Sequence, residues 1–498
     1  MKPIPFLSYY LTDLFRELLR WAMIEQKMRQ IDINKQKDLK EPSLFQTIIC
    51  LLGVFLMISL GLFILEIYIH AIIFICLLWV GVHAASLGYT FTDIHRMMKT
   101  GISSALPAIY IFVLIGMVIA SFMQSGTIAS LLYYGLDLLS PVVFLASGLI
   151  LCSLMSIATG TSWGTVGTIG VVLISIAEVI GIPLAIVAGM IVSGATFGDK
   201  LSPMSDTTNL AAMSAGTNLY RHIHAMLYTT FPAYALTLII YILVGLQYSD
   251  YALPAGEITA IQTVLKSTFQ LNLWITLLPL LCLFGMSIKK YSPVISMSCS
   301  IVLAMMIAIF YQERDTIDVF NALWLNNPGT TGIENIDALL GQGGIYSMAW
   351  TLLLSVMALA LGGILHQAKF LSVALERIIA RIKRTRTLMT TTILSGLISN
   401  MGMGEAYLSI ILNCQLFKDA YHKAQLDSAM LSRSVEEGAT MTTALIPWTT
   451  AGAFYAATLG IPVLDYAPYA FLNVINPLVS IVMAGLGIGL LQRNRVDA

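Results

Sequence analysis

The stretch GDKLSPMSDTTNLAA, residues 198 to 212, follows directly on an almost purely apolar run, IPLAIVAGMIVSGATF, residues 182 to 197. The run reads as a membrane helix, and the stretch after it stops that helix. Pro203 has no amide hydrogen and its ring clashes with the preceding turn, so the helix breaks there. Unwound backbone at membrane depth is tolerated only where it is buried in protein or lines a cavity. Asp199, Ser202, Ser205, Asp206, Thr207, Thr208 and Asn209 therefore surround a break with an oxygen set that is dense for so apolar a chain. A cation stripped of water needs several oxygen ligands, and a carboxylate at membrane depth has its charged form disfavoured by desolvation. Ion capture and proton release at such a carboxylate become coupled.

Composition places the whole chain in the same setting. Of 498 residues, 57% are hydrophobic and 11% charged, with a mean hydropathy of +0.81, whereas a soluble chain carries about 25% charge. Apolar windows long enough to cross a bilayer recur throughout, which predicts an all-α polytopic membrane protein of about 10–12 transmembrane helices. Formal net charge is zero, and no basic patch is interleaved with aromatics, so nucleic acid is not an expected partner. Cys50, Cys76, Cys152, Cys282, Cys299 and Cys414 stand singly in apolar runs and read as small hydrophobes. No cofactor is called for.

The first apolar run begins only near Leu44, too late for a signal peptide. Before it, Leu11, Leu14, Phe15, Leu18, Leu19 and Met23 recur at helical spacing, which suits a helix lying on the inner membrane face. Short cytoplasmic loops carry excess Lys and Arg. That rule puts inside the N-terminal segment, Arg96 and Lys99, Arg221 with His222 and His224, Lys289 and Lys290, and KFLSVALERIIARIKRTR at residues 369 to 386. The acidic connections at residues 248 to 269 and 312 to 345 fall outside, with both termini cytoplasmic and the cell inner (plasma) membrane as the expected location. The chain then divides into a cytoplasmic segment (1–43), a first transmembrane half (44–247), an external connection (248–270) and a second half (271–498).

Sliding the chain on itself by 244 positions aligns Gly160 with Gly404, Gly194-Ala195-Thr196 with Gly438-Ala439-Thr440, Leu201 with Leu445 and Pro203 with Pro447. The loop charges run the two copies in opposite senses, so residues 388–461 read as an inverted-topology repeat of the first half. Inverted repeats with interruptions at matching places point to the binding site of a secondary transporter. The facing walls are ATGTSWGTVGTIG, residues 158 to 170, and SNMGMGEAYLS, residues 399 to 409, as re-entrant hairpins or broken helices. They offer Thr159, Thr161 and Ser162 in the first copy and Glu405 in the second.

FGDKLSPMSDTTNLAA with ATGTSWGT upstream resembles the signature of the NhaC family of sodium/proton antiporters, from about residue 44 onward. The resemblance implies sodium/proton exchange by alternating access. Members of that family also resemble exchangers of malate plus protons for lactate plus sodium, which keeps an organic-anion exchanger as the alternative.

Asp199 and Asp206 are the expected exchange carboxylates, with Ser205, Thr207, Thr208, Asn209, Thr161, Ser162 and Glu405 completing the sodium and proton site, and Pro203 and Pro447 opening the backbone. Lys200 is a candidate charge partner for an unloaded carboxylate, or a snorkelling side chain. Glu436 and Glu437 are expected to be solvated or to cap a helix, and Glu178 to snorkel near the outer end. Trp163 and Trp448 read as packing residues, and His70, His83 and His95 as structural. Thr450 stands where the first copy has Asp206, so titrating charge is expected to concentrate in the first half. A channel would need rings of repeated polar residues, and an intramembrane enzyme a metal set such as HExxH or an activated nucleophile, which the sequence does not contain. Without a Walker motif the driving force is an ion gradient. The expected partners are sodium, protons and the lipid bilayer, with a homodimer as the expected assembly.

Overall fold

The computed structural model describes residues 41–492 apart from 105, 139–140, 204, 249–254, 290, 328–336, 338–339 and 383. The amphipathic stripe expected at residues 11–23 lies outside these.

The described residues fold as helices joined by short connections. The first, Leu44–Phe63, starts at a reciprocal cap in which the Ser43 hydroxyl accepts from the Gln46 amide and the Gln46 side chain accepts from the Ser43 amide. Five helices are long and apolar enough to cross a membrane: Leu44–Leu62, Ile69–Ser86, Leu184–Leu201, Leu219–Leu246 and Ile345–Gln367. Two bent pairs reach that length only when their halves are taken together, Gln262–Thr268 with Leu273–Met286 at 74° and Val463–Tyr469 with Phe471–Leu486 at 54°. Ile109–Gln124, Val143–Thr159, Ser162–Glu178 and Val294–Phe310 are shorter apolar helices. The protein is thus all-helical and polytopic. Phe45, Leu52, Phe55, Phe74, Ile75 and Leu78 are exposed on the first two helices, as side chains facing lipid should be.

Both acidic connections contain helix among their described residues. Ala255–Thr268 is a helix within the expected external connection, and Thr316–Trp324 lies within the second. Cys50, Cys76, Cys152 and Cys414 are buried, whereas Cys282 is half-buried and Cys299 is exposed.

Ten helical segments, α1 to α10, form the central unit. They are α1 Pro141–Thr159; α2, in which Ser162–Thr165 runs through a π turn at Val166–Gly170 into Val171–Ile180; α3 Leu184–Leu201; α4 Asp206–Ala215; and α5 Leu219–Leu246. From the second half come α6 Thr385–Met403, α7 Ala406–Lys423, α8 Ser428–Thr443, α9 Thr450–Leu459 and α10 Phe471–Leu486.

The 244-residue offset read in the sequence also relates these elements. Both ends of α1 and α6, and both ends of α4 and α9, correspond under it, as do the starts of α2 and α7 and of α3 and α8. The turn between α1 and α2 uses Gly160 at φ +70°, and that between α6 and α7 uses Gly404 at φ +68°. A side chain at either would be strained in this left-handed conformation. The packing repeats as well. Ser156 of α1 donates to the Ala195 carbonyl of α3 at 2.6 Å, and its counterpart Asn400 of α6 donates to the Ala439 carbonyl of α8 at 2.6 Å. Gly194 lies against the Leu149 carbonyl and Gly438 against the Ile393 carbonyl, again one offset apart, so each pair of helices meets backbone to backbone. The contacts between copies are reciprocal. Helix α4 of the first packs on α7 of the second, and α9 of the second on α2 of the first, the pattern a two-fold relation produces.

Candidate functional site

Each copy is a hairpin (α1–α2, α6–α7) whose tip meets the break of the same copy. In the first, α3 ends at Leu201, and Ser202 donates to the Ile157 carbonyl of α1 at 2.8 Å. In the second, the Trp448 indole donates to the Met401 carbonyl of α6 at 2.8 Å, the residue equivalent to Ile157. Each break is followed by a side-chain cap, Ser205 accepting from the Thr208 amide and Thr449 from the Gly452 amide. The prolines therefore open the helices at corresponding points.

Both tips and both breaks surround one cavity of about 420 Å³. Its walls carry Thr161 and Ser162 from the first tip, Asp199 from α3, Asp206 and Thr207 from the start of α4, and Glu405 from the second tip. Asp199 and Glu405 are 7% and 2% exposed, while Asp206 is exposed at the mouth. The Ser162 hydroxyl donates to Asp199 Oδ2 at 2.7 Å, and the Thr450 hydroxyl donates to Glu405 Oε2 at 2.6 Å. Glu405 also caps α7, accepting from the Tyr407 amide at 3.3 Å. Thr440 and Thr443 add oxygens, and Trp163, Tyr407 and Tyr455 supply aromatic wall. Trp163 stacks on Phe454, centroids 4.6 Å apart and rings 8° from parallel, so it packs and lines the cavity at once.

Thr208, Asn209 and Ser205 do not line the cavity. Asn209 donates to the Pro203 and Ser205 carbonyls at 3.0 and 2.8 Å, bracing the break. The Thr208 hydroxyl faces away, within 3.2 Å of the Asp199 carbonyl, 3.1 Å of the Lys200 carbonyl and 3.2 Å of Glu436 Oε1.

Lys200 is wholly buried on the side of α3 away from the cavity, with Nζ 3.7 Å from Glu437 Oε1. Successive helical residues point in different directions, so its charge partner is a glutamate of the other repeat. Glu436 and Glu437 are likewise wholly buried within α8, which overturns the expectation that they are solvated or cap a helix. The helix they belong to runs from Ser428 to Thr443, and they sit past its middle. Glu436 Oε2 is 2.6 Å from His222 Nε2, and Glu437 accepts a short hydrogen bond from the Thr229 hydroxyl. Arg433, also wholly buried, donates to the Ala225 and Gly489 carbonyls.

With Glu405, Glu436 and Glu437 all buried, the acidic groups are not concentrated in the first half. His222 read as part of a basic loop, yet it is buried in the second turn of α5. The signal for both was present, because ionisable residues inside apolar segments carry a functional presumption, and RSVEEGAT lies between apolar stretches.

A family model, the Na+/H+ antiporter family, matches residues 194–488. The chain is 36% identical over 441 residues to the Na+/H+ antiporter NhaC of Alkalihalophilus pseudofirmus, covering 88% of this chain and 95% of that protein. It is 34% identical over 439 residues to the malate-2H+/Na+-lactate antiporter of Bacillus subtilis, covering 88% and 93%. To NhaC of Bacillus subtilis it is 33% identical over 423 residues, covering 85% and 93%. With a family match across more than half its length and relatives aligned almost end to end, the chain belongs to the Na+/H+ antiporter family.

Proposed function

We propose that the protein exchanges sodium for protons at the cavity between the two breaks, with Asp199, Asp206 and Glu405 as the groups that hold either species. One observation carries this reading. Three carboxylates from both repeats converge on a cavity whose described lining includes no Lys, Arg or His. Such a wall attracts cations, and each carboxylate that gives up a proton leaves a charge for sodium to neutralise. Ser162, Thr161, Thr207, Thr440, Thr443 and Thr450 offer the neutral oxygens a dehydrated sodium ion needs.

Access would alternate by movement of the hairpin tips against the breaks, with inverted repeats giving two related arrangements. With the Arg- and Lys-rich connections inside, both termini are cytoplasmic in this reading and the plasma membrane is the site of action. An inward proton gradient then drives sodium out.

A second reading rests on a different feature of the same site. The starts of α2, α4, α7 and α9 all border the cavity, and helix N-termini favour negative charge. A small organic anion carried together with cations would suit those ends, and one relative is a malate-2H+/Na+-lactate antiporter. Such a substrate also needs a cationic side chain, and Lys200 is engaged with Glu437 instead.

Purified protein in liposomes with an imposed pH gradient is expected to dissipate it on addition of sodium alone, and Asp206→Asn to abolish the response. Full exchange by that variant removes Asp206 from the role. A requirement for malate or lactate favours the second reading.

A further inference from the structure

The sodium site leaves unused a cluster of buried ionisable groups on its far side. Lys200 of α3, His222 of α5, and Arg433, Glu436 and Glu437 of α8 are each 0% exposed. Two cations and two carboxylates balance when His222 is neutral. Cys414 of α7 lies close enough for Glu436 to act on it electrostatically, and the sequence of α10 contributes no ionisable side chain. Tyr421 and Lys418 of α7 also face this region, Tyr421 feeling Arg433 and Glu437 and Lys418 acting on Cys414, and on the carbonyl side of the break Asp199 feels Glu436.

The hydrogen bonds around His222 and Glu436 can be completed in two protonation states without moving the backbone. In one, His222 Nε2–H donates to Glu436 Oε2 at 2.6 Å, and the Ser432 hydroxyl donates to His222 Nδ1 at 2.7 Å. When a proton is added at Nδ1, that nitrogen donates to Ser432 instead. The Ser432 hydrogen then turns to the Ala429 carbonyl, 3.1 Å away. If the added proton resides on Glu436 Oε1, it donates to Thr208, whose own hydrogen turns to the Asp199 or Lys200 carbonyl at 3.2 or 3.1 Å. Buried polar groups are costly when unpaired, and here two hydroxyl rotors keep every atom of the pair satisfied in either state.

We propose that His222 and Glu436 form a second proton-binding site, outside the cavity and separate from its carboxylates, that opposes sodium occupancy at the first break. An added proton leaves the cluster with one net positive charge next to α3, whose Asp199 faces the cavity on the other side. A sodium ion beside Asp199 and a proton on the pair therefore disfavour each other through the field between them. Thr208, bonded to both sides, ties the pair to the backbone of the break. The site adds to the exchange reading above, since it makes sodium and protons antagonistic without requiring that they share ligands.

His222→Gln and Ser432→Ala test this in the full chain by two readouts. The first is the pH dependence of sodium-driven gradient dissipation in liposomes between about pH 6 and 9. The second is thermal stability against pH in detergent, which requires no transport. Loss of the site is expected to shift the midpoint of both profiles by at least about half a pH unit. Saturating sodium is expected to bring the rate of Ser432→Ala to within about threefold of the parent, equivalent to less than about 1 kcal/mol. Ser432→Ala removes only one hydroxyl and decides the question if His222→Gln does not fold. Profiles of Ser432→Ala that superimpose on those of the parent in both assays overturn the proposal. A parent that shows no sodium-driven exchange but a pH-dependent stability lost in Ser432→Ala refutes the exchange reading while sustaining the proton site.

Discussion

Removing one member of the Lys200–Glu437 pair should be far more damaging than removing both. The two charges are 3.7 Å apart with neither side chain exposed, and at an effective dielectric of 20 their attraction is about 4–5 kcal/mol. Glu437→Gln leaves Lys200 charged or forces it neutral in a site with no exposure to solvent, and breaking a buried pair in this way costs about 3–5 kcal/mol. Lys200→Met creates the complementary fault, with Glu437 retaining the Thr229 hydroxyl as its hydrogen-bond donor among the described residues. The double variant Lys200→Met/Glu437→Gln removes both charges together, and such neutral replacements are often close to harmless. Equilibrium unfolding in mixed micelles of the parent, both singles and the double gives the coupling energy directly. The expected coupling is at least about 2 kcal/mol, with the double more stable than either single. Additive losses, with a coupling below about 0.5 kcal/mol, would refute the assignment of Lys200 to Glu437.

Two further outcomes follow from packing and from the cavity. Gly438→Ala places a methyl group against the Ile393 carbonyl between α6 and α8 and should cost about 1–3 kcal/mol by overpacking, read as a lower melting temperature. Gly485→Ala in α10, where nothing lies within 4 Å of the new carbon, should instead be neutral or gain up to about 1 kcal/mol from helix propensity; equal effects of the two would contradict the close α6–α8 contact. Ala451→Cys puts a thiol on the cavity wall, which none of the native cysteines lines. Its labelling by a maleimide should slow several-fold with saturating sodium and not with choline, and sodium-independent labelling would separate the cavity from the ion.

What the sequence revealed best was punctuation. Gly160, Gly404, Pro203 and Pro447 mark places where a helix must turn or open, and such requirements leave few alternatives in residue type. The 244-residue offset was visible through them, and the helix bounds and helix–helix hydrogen bonds follow it. The cavity residues Asp199, Asp206, Thr161, Ser162 and Glu405 were legible for the same reason, since each lies within a few residues of a break or a tip. Direction was not legible. Thr208 and Asn209 carry oxygens as suitable as those of Thr207, but one helical turn distributes them to different faces, and the phase of a ten-residue helix cannot be read from a stretch polar on all sides. The cluster on α8 was hidden differently, because two consecutive glutamates expected where the second broken segment begins look solvated unless His222, 214 residues away in sequence, is known to fold over them.

Asp199 and Lys200 show why this matters for function. As sequence neighbours of opposite charge they suggest a local ion pair that would hold the aspartate ionised. On α3 they diverge, and the structure uses the divergence to separate two electrostatic environments by the thickness of one helix. Lys200 is committed to Glu437 of the other repeat, leaving Asp199 with hydroxyl donors and no cationic side chain among the described residues of its cavity. A carboxylate already neutralised by a lysine would gain little from sodium or from a proton, whereas one stabilised only by neutral donors has a strong and similar need for either. For Asp199 to serve the proposed exchange, the lysine beside it must be held elsewhere, and the second repeat supplies the group that holds it.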